Sequence, residues 1–209
     1  MNRRMPRTFA VLVAVLAPAM GCLRIPPAMT LAASVPPPAA GSASVVLVRP
    51  SQACDSGDYA VVVDERGRFV GNVGPGTRLA VEVSPGSQIF YAWNHIQWVR
   101  RSNPIWPTGA ARLNLTKGQT RYLLLDGCTG TTTLLNVVAQ GDALWGDLQD
   151  GLRSTKPIVA DRAAGQALLE QRPAELRRRL EVARRQLVEL DTARERDAVR
   201  AGLAAEAPR

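Results

Sequence analysis

The chain is predicted to be mainly β: an antiparallel β-sandwich of about seven to eight strands, followed by a C-terminal helical tail. Three observations predict this. Short apolar runs recur from Ser44 to Val138, divided by Gly, Pro and Asp. Several of them alternate apolar and polar residues, the pattern of a strand with one buried face. No helical pattern of about 10–15 residues falls between them, as a parallel α/β sheet would require.

The strands read off in order. Val45-Val46-Leu47-Val48 ends at Arg49-Pro50, and Tyr59 to Val63 stops at the turn signal Asp64-Glu65-Arg66-Gly67. Arg68 to Val73 is short and closes at Gly74-Pro75-Gly76. In Thr77 to Val83, Leu79, Val81 and Val83 share one face, with Arg78, Ala80 and Glu82 on the other. After the turn Ser84-Pro85-Gly86-Ser87 comes Gln88 to Trp93, then an irregular stretch. Ala111 to Leu115, Thr120 to Leu125 and Thr131 to Val138 complete the set. The β-domain is therefore placed at 44–138.

The tail, 139–209, changes texture. Gly141 to Leu152 suits a short helix with Leu144, Trp145 and Leu148 on one face, capping the sandwich. Beyond Ser154-Thr155-Lys156-Pro157 a long helix is predicted from Asp161, with Pro173 at the first turn of its second part. Leu176, Leu180, Ala183, Leu187 and Leu190 follow alternating four and three spacing, a narrow seam. The next two seam positions are Arg194 and Asp197, so the seam ends after about two heptads. Glu175 with Arg179 and Glu181 with Arg185 support the helix at i,i+4 spacing. Two uses of the seam stay open: docking on the chain's own β-domain, or association with an envelope protein or a second copy.

At the other end, Arg3, Arg4 and Arg7 precede the apolar run Phe9 to Ala17, the layout of an export signal. The run is too short to cross a membrane, which takes about 20 residues. Pro18 ends it, and Ala19-Met20-Gly21-Cys22 follows. These four residues resemble the lipobox of bacterial lipoproteins. The resemblance implies cleavage after residue 21 and lipidation (diacylglyceryl and palmitate chains) at Cys22. The absence of Asp directly after Cys22 points, by the same resemblance, to the outer membrane facing the periplasm. Residues 22–43 are rich in Pro and Ala, including Pro36-Pro37-Pro38, and read as an extended stalk that buries no core.

The β-domain carries a second resemblance. Val46-Leu47-Val48-Arg49-Pro50, the Tyr59 to Asp64 strand with Gly71 after its hairpin, Val81-Glu82-Val83-Ser84-Pro85-Gly86, and Gly118-Gln119-Thr120 before Tyr122 and Leu124 look like a family of small bacterial lipoproteins with an uncharacterised β-domain. The texture is also similar to transthyretin-like and carboxypeptidase-regulatory-like sandwiches. The resemblance implies a fold and an envelope location and carries no catalytic residues.

Cys54 and Cys128 remain once Cys22 is lipidated, each beside a turn, and an even pair in an oxidising compartment reads as a disulfide. Phe90 to Pro107 holds Trp93, His95, Trp98, Arg100, Arg101 and Trp106. Trp and Arg are frequent at binding hot spots, so this insert is a candidate surface for a glycan, a peptide or a partner. The alternative is that Phe90, Trp93 and Trp98 cover one open end of the sandwich. His95 has no catalytic partner recognisable by spacing, and a general base needs one to orient it. One His and two Cys do not close a zinc shell. The formal charge is +8, and loss of the three leader arginines takes 26 basic residues to 23 against 18 acidic, or +5. The remaining arginines are interspersed with Asp and Glu, unlike the clustered basic face of a nucleic-acid binder. The sequence thus predicts a lipid-anchored, non-enzymatic binding or scaffolding protein without cofactor. A glycan- or peptidoglycan-binding module comes second and an unrecognised hydrolase third.

Overall fold

The computed structural model describes residues 25–51, 58–95, 109–126 and 134–205, apart from the side chain of Leu134 and those after Thr192. Ten strands and three helices are present among them: β1 (Met29–Leu31), β2 (Ala43–Arg49), β3 (Ala60–Asp64), β4 (Phe69–Val73), β5 (Thr77–Val83), β6 (Gly86–Asn94), β7 (Gly109–Leu115), β8 (Thr120–Asp126), β9 (Leu134–Val138), α1 (Trp145–Ser154), β10 (Lys156–Ala160), α2 (Arg162–Glu170) and α3 (Pro173–Ala205). The chain is mainly β, with two sheets and a C-terminal helix. One sheet has six strands in the order β1-β10-β5-β2-β8-β9, the other four in the order β4-β3-β6-β7.

The expectation of a purely antiparallel fold of seven to eight strands is corrected here. The four-stranded sheet is antiparallel throughout. The six-stranded sheet is mixed, because β2 runs parallel to β8 and β10 parallel to β5. A parallel pair needs a long crossover. β3 to β7 supply it for β2 and β8, and everything from β6 to α1 supplies it for β5 and β10.

The unbroken valine run of β2 has a physical reason. Val45 and Leu47 enter a large buried cluster that draws residues from both sheets. Val46 and Val48 point the other way, into a smaller cluster with Leu124, Val138 and Leu148. Leu148 is the fully buried residue of α1, and Leu144, Trp145 and Leu152 pack beside it. A strand covered on both faces reads as continuously apolar rather than alternating. Gly151 lets α1 approach closely, since a Cβ there would sit 2.9 Å from Val48 and 3.2 Å from Pro50.

Residues 22–43 do not form a free stalk once Ile25 is reached. Pro26 and Met29 are buried, and β1 is the antiparallel edge partner of β10. Asn72 donates its Nδ2 to the Pro27 carbonyl at 2.8 Å, and Asp161 N donates to the Ala28 carbonyl at 2.9 Å. Pro36, Pro37 and Pro38 then line a small cleft with Ala80, Glu82 and Val159, and Ser42 Oγ donates to Glu82 Oε1 at 2.5 Å. The segment is a strap across β10 and β5 to β2. Pro27 and Ala28 form a turn, with Ala28 at φ 59°, and the carbonyls it leaves outside any ladder accept these bonds, so the segment is held by its main chain.

The tail is not purely helical either, because β10 lies within it. Asp161 caps α2, its carboxylate accepting from Ala164 N at 2.9 Å. Gly165 lets α2 lie on β4, where a Cβ would overlap the Phe69 ring. Gln166 Oε1 accepts from Phe69 N at 3.0 Å across the same contact.

Candidate functional site

α3 settles which way its leucine seam faces. Leu180, Ala183 and Leu187 are buried in the large cluster, and Leu176 packs against it partly buried. Gly67, in the left-handed region at φ 79°, ends the Asp64 turn directly beneath the helix, and a Cβ there would stand 2.7 Å from Leu180 Cδ1. Asp64 shapes that turn by accepting from the amides of Arg66 and Arg68, both at 2.9 Å. The helix is also tied by Arg184 Nη2 to the Glu65 carbonyl at 3.1 Å and by Arg112 to Asp191 at 3.3 Å. Four of the five seam residues are thus covered by the chain itself, while Leu190 is 44% exposed and its neighbour Val188 64% exposed.

Beneath α3 lies a buried charge. Arg179 is fully buried, its Nε donates to Glu175 Oε1 at 2.7 Å, and its guanidinium carbon stands 5.9 Å from the centre of the Trp93 ring. Burial pulls the Arg179 pKa down and Glu175 opposes that shift. A guanidinium stays charged at ordinary pH, so the pair and the aromatic face share the cost of a cation in the interior. Trp93, the first tryptophan of the predicted binding insert, is itself fully buried and forms part of the floor under α3. Trp98, Arg100, Arg101 and Trp106 lie outside the described residues, as do Cys22, Cys54 and Cys128 with the expected bridge.

His95 has the carboxylate partner that its sequence neighbourhood does not show. Its Nδ1 stands 3.6 Å from Asp58 Oδ1, and its ring stacks on Tyr59 with centroids 4.2 Å apart. The His95 amide also donates to the Tyr59 carbonyl at 2.9 Å. The register explains the meeting: Ala60 pairs with Asn94, so the residues just outside β3 and β6 face each other. The Asp58 side chain is 4% exposed and that of His95 30%. This arrangement orients an imidazole at the surface. Its described partners are a carboxylate and a phenol ring, and neither is a serine or cysteine nucleophile of the kind such a base activates.

Two open depressions lie elsewhere on the surface, both reaching the β3–β4 turn. The larger, about 820 Å³, lies between the β3–β4 turn, the β5–β6 turn and α2. Phe69, Val70, Val81 and Phe90 contribute apolar lining, and Arg66, Arg68, Arg162, Glu65 and Glu82 supply charges of both signs. The smaller, about 410 Å³, runs beside α3 between Ile89, Tyr91, Arg112, Arg184 and Val188. Burial pushes the Tyr91 phenol up, with Arg184 beside it opposing. No group of three or more His, Cys, Asp or Glu placed to hold a metal occurs among the described residues. No helix among them is long and apolar enough to cross a membrane. Comparison with protein-family models, curated proteins and solved structures finds no match to the chain.

Proposed function

We propose that the chain is a lipid-anchored envelope protein that binds or scaffolds other envelope components without catalysis. The observation that carries this reading is the Arg-rich leader and apolar run ending in Gly21-Cys22, followed three residues later by a folded domain. The two sheets meeting over one buried cluster support a sandwich-type framework for that domain. The outer membrane, facing the periplasm, is the proposed location. The surface proposed to meet a protein partner is the exposed flank of α3, Val188 and Leu190, beside the groove lined by Ile89 and Arg112. It combines apolar side chains with a charged rim, the composition of a non-obligate interface. The buried position of Trp93 removes one of three tryptophans from the glycan-binding alternative, which would then rest on Trp98 and Trp106.

The test has two parts. Metabolic labelling with a palmitate analogue should mark the wild-type chain and place it in the membrane fraction, and Cys22→Ala should abolish both. A photo-crosslinking residue at position 188 should yield a discrete envelope adduct in living cells, lost in an Ile89→Asp variant. Labelling that survives Cys22→Ala would sink the anchor. Adducts absent from position 188 across growth conditions would sink the α3 surface.

A further inference from the structure

We infer that the lipid holds the β1–β10 edge of the folded domain directly against the bilayer surface, so that the domain works at the membrane and not at a distance from it. This rests on the proposed lipidation of Cys22. The carrying observation is where the fold takes hold of the chain. Ile25 packs against the core cluster, Pro26 and Met29 are buried, and the carbonyls of Pro27 and Ala28 accept from Asn72 and Asp161. β1 then pairs along its whole length with β10, Met29 facing Ala160 and Leu31 facing Ile158. Only Leu23 and Arg24 separate the acylated Cys22 from this fixed point, a reach of three residues from Cys22 to Ile25.

Covalent geometry sets the reach. Three residues, fully extended, span at most about 10 Å. The acyl chains sit in hydrocarbon, and the cysteine that carries them lies at the headgroup level. The anchored domain can therefore pivot about Ile25 but cannot leave the surface by more than this length. The Pro-rich segment does not lengthen the tether, because it lies after β1 and is bound as a strap over β10 and β5. The exposed residues on this edge are then the ones presented to lipid: Pro27, Thr30 and Leu31 on the β1 side and Val159 and Asp161 on the β10 side, with Leu31 53% and Val159 42% exposed. At the opposite edge of the six-stranded sheet, β9 is five strand spacings away, or roughly 24 Å.

The inference is tested on the full, lipidated chain in vesicles of phosphatidylethanolamine and phosphatidylglycerol that carry a headgroup-linked energy-transfer acceptor. A bioorthogonal fluorophore is placed at Thr30, on the tethered edge, or at Gln140, just after β9 on the far edge; both positions are exposed. Transfer should be several-fold stronger from Thr30 than from Gln140. A Gly-Ser insert of about 20 residues between Arg24 and Ile25, with a root-mean-square length of ~25 Å, should lower the Thr30 signal and remove the difference. Equal transfer from the two positions in the native chain, or a Thr30 signal indifferent to the insert, would overturn the inference. Mass analysis of Cys22 separates the two readings. Without acyl chains both fall, whereas equal transfer with acyl chains present removes only this one.

Discussion

The two segments flanking the central β-domain are both docked on it, but by opposite means. The N-terminal strap is held chiefly through its main chain, by the β1–β10 ladder and the accepting carbonyls of Pro27 and Ala28, with Pro26 and Met29 as its buried side chains. The C-terminal helix α3 has its backbone bonds satisfied internally and is held through side chains: Leu180, Ala183, Leu187 and the Arg179–Glu175 pair over Trp93. A segment fixed by its main chain tolerates change in its side chains. A segment fixed by side chains loses several kilocalories at single positions.

The largest expected effect lies under α3. Glu175→Ala removes a carboxylate from the fully buried Arg179, and breaking such a pair typically costs about 3–5 kcal/mol. Urea denaturation would read this, and a loss under about 1 kcal/mol would place the pair among exposed ones. Next comes Leu187→Ala, 4% exposed before truncation, at about 2–4 kcal/mol. Met29→Ala sharpens the contrast, because main-chain bonds keep β1 in place. We expect a cost of about 2 kcal/mol, at the low end for a buried methionine. A Met29→Ala loss exceeding that of Leu187→Ala would reverse the comparison. Asp161→Ala, which deletes the α2 cap, should lower stability by about 1 kcal/mol in the same urea assay. Smallest of all, Leu190→Ala on the exposed flank should stay within about 0.5 kcal/mol, so partner binding can be assayed in that variant without a folding defect.

The same contrast decides what could be read in the sequence. The seam of α3 was legible because side-chain burial leaves a periodic trace, and Leu176, Leu180, Ala183 and Leu187 all face the domain. Its two possible uses were not separable, because a helix shows which face is apolar and not what covers it. The β5 alternation and the Asp64–Gly67 turn were legible for the same local reasons. β1 left no trace: three residues in a Pro-rich segment become a strand only because β10 offers an edge. The parallel pairing of β2 with β8 is likewise a property of the path between them, not of either run. At the candidate site, His95 stood out as the lone histidine, yet Asp58 did not. Only the β3–β6 register brings them together.

The β1–β10 edge also has a consequence in time. Met29 pairs with Ala160, and β10 in turn completes the sheet beside β5. Among the described strands, the first to be made must wait for the last. Contacts between positions so far apart close late and slow folding. Until β10 arrives, β5 has one open edge and β1 has no partner. The six-stranded sheet is therefore unfinished until the chain has been made through Ala160, with only α2 and α3 still to follow among the described elements.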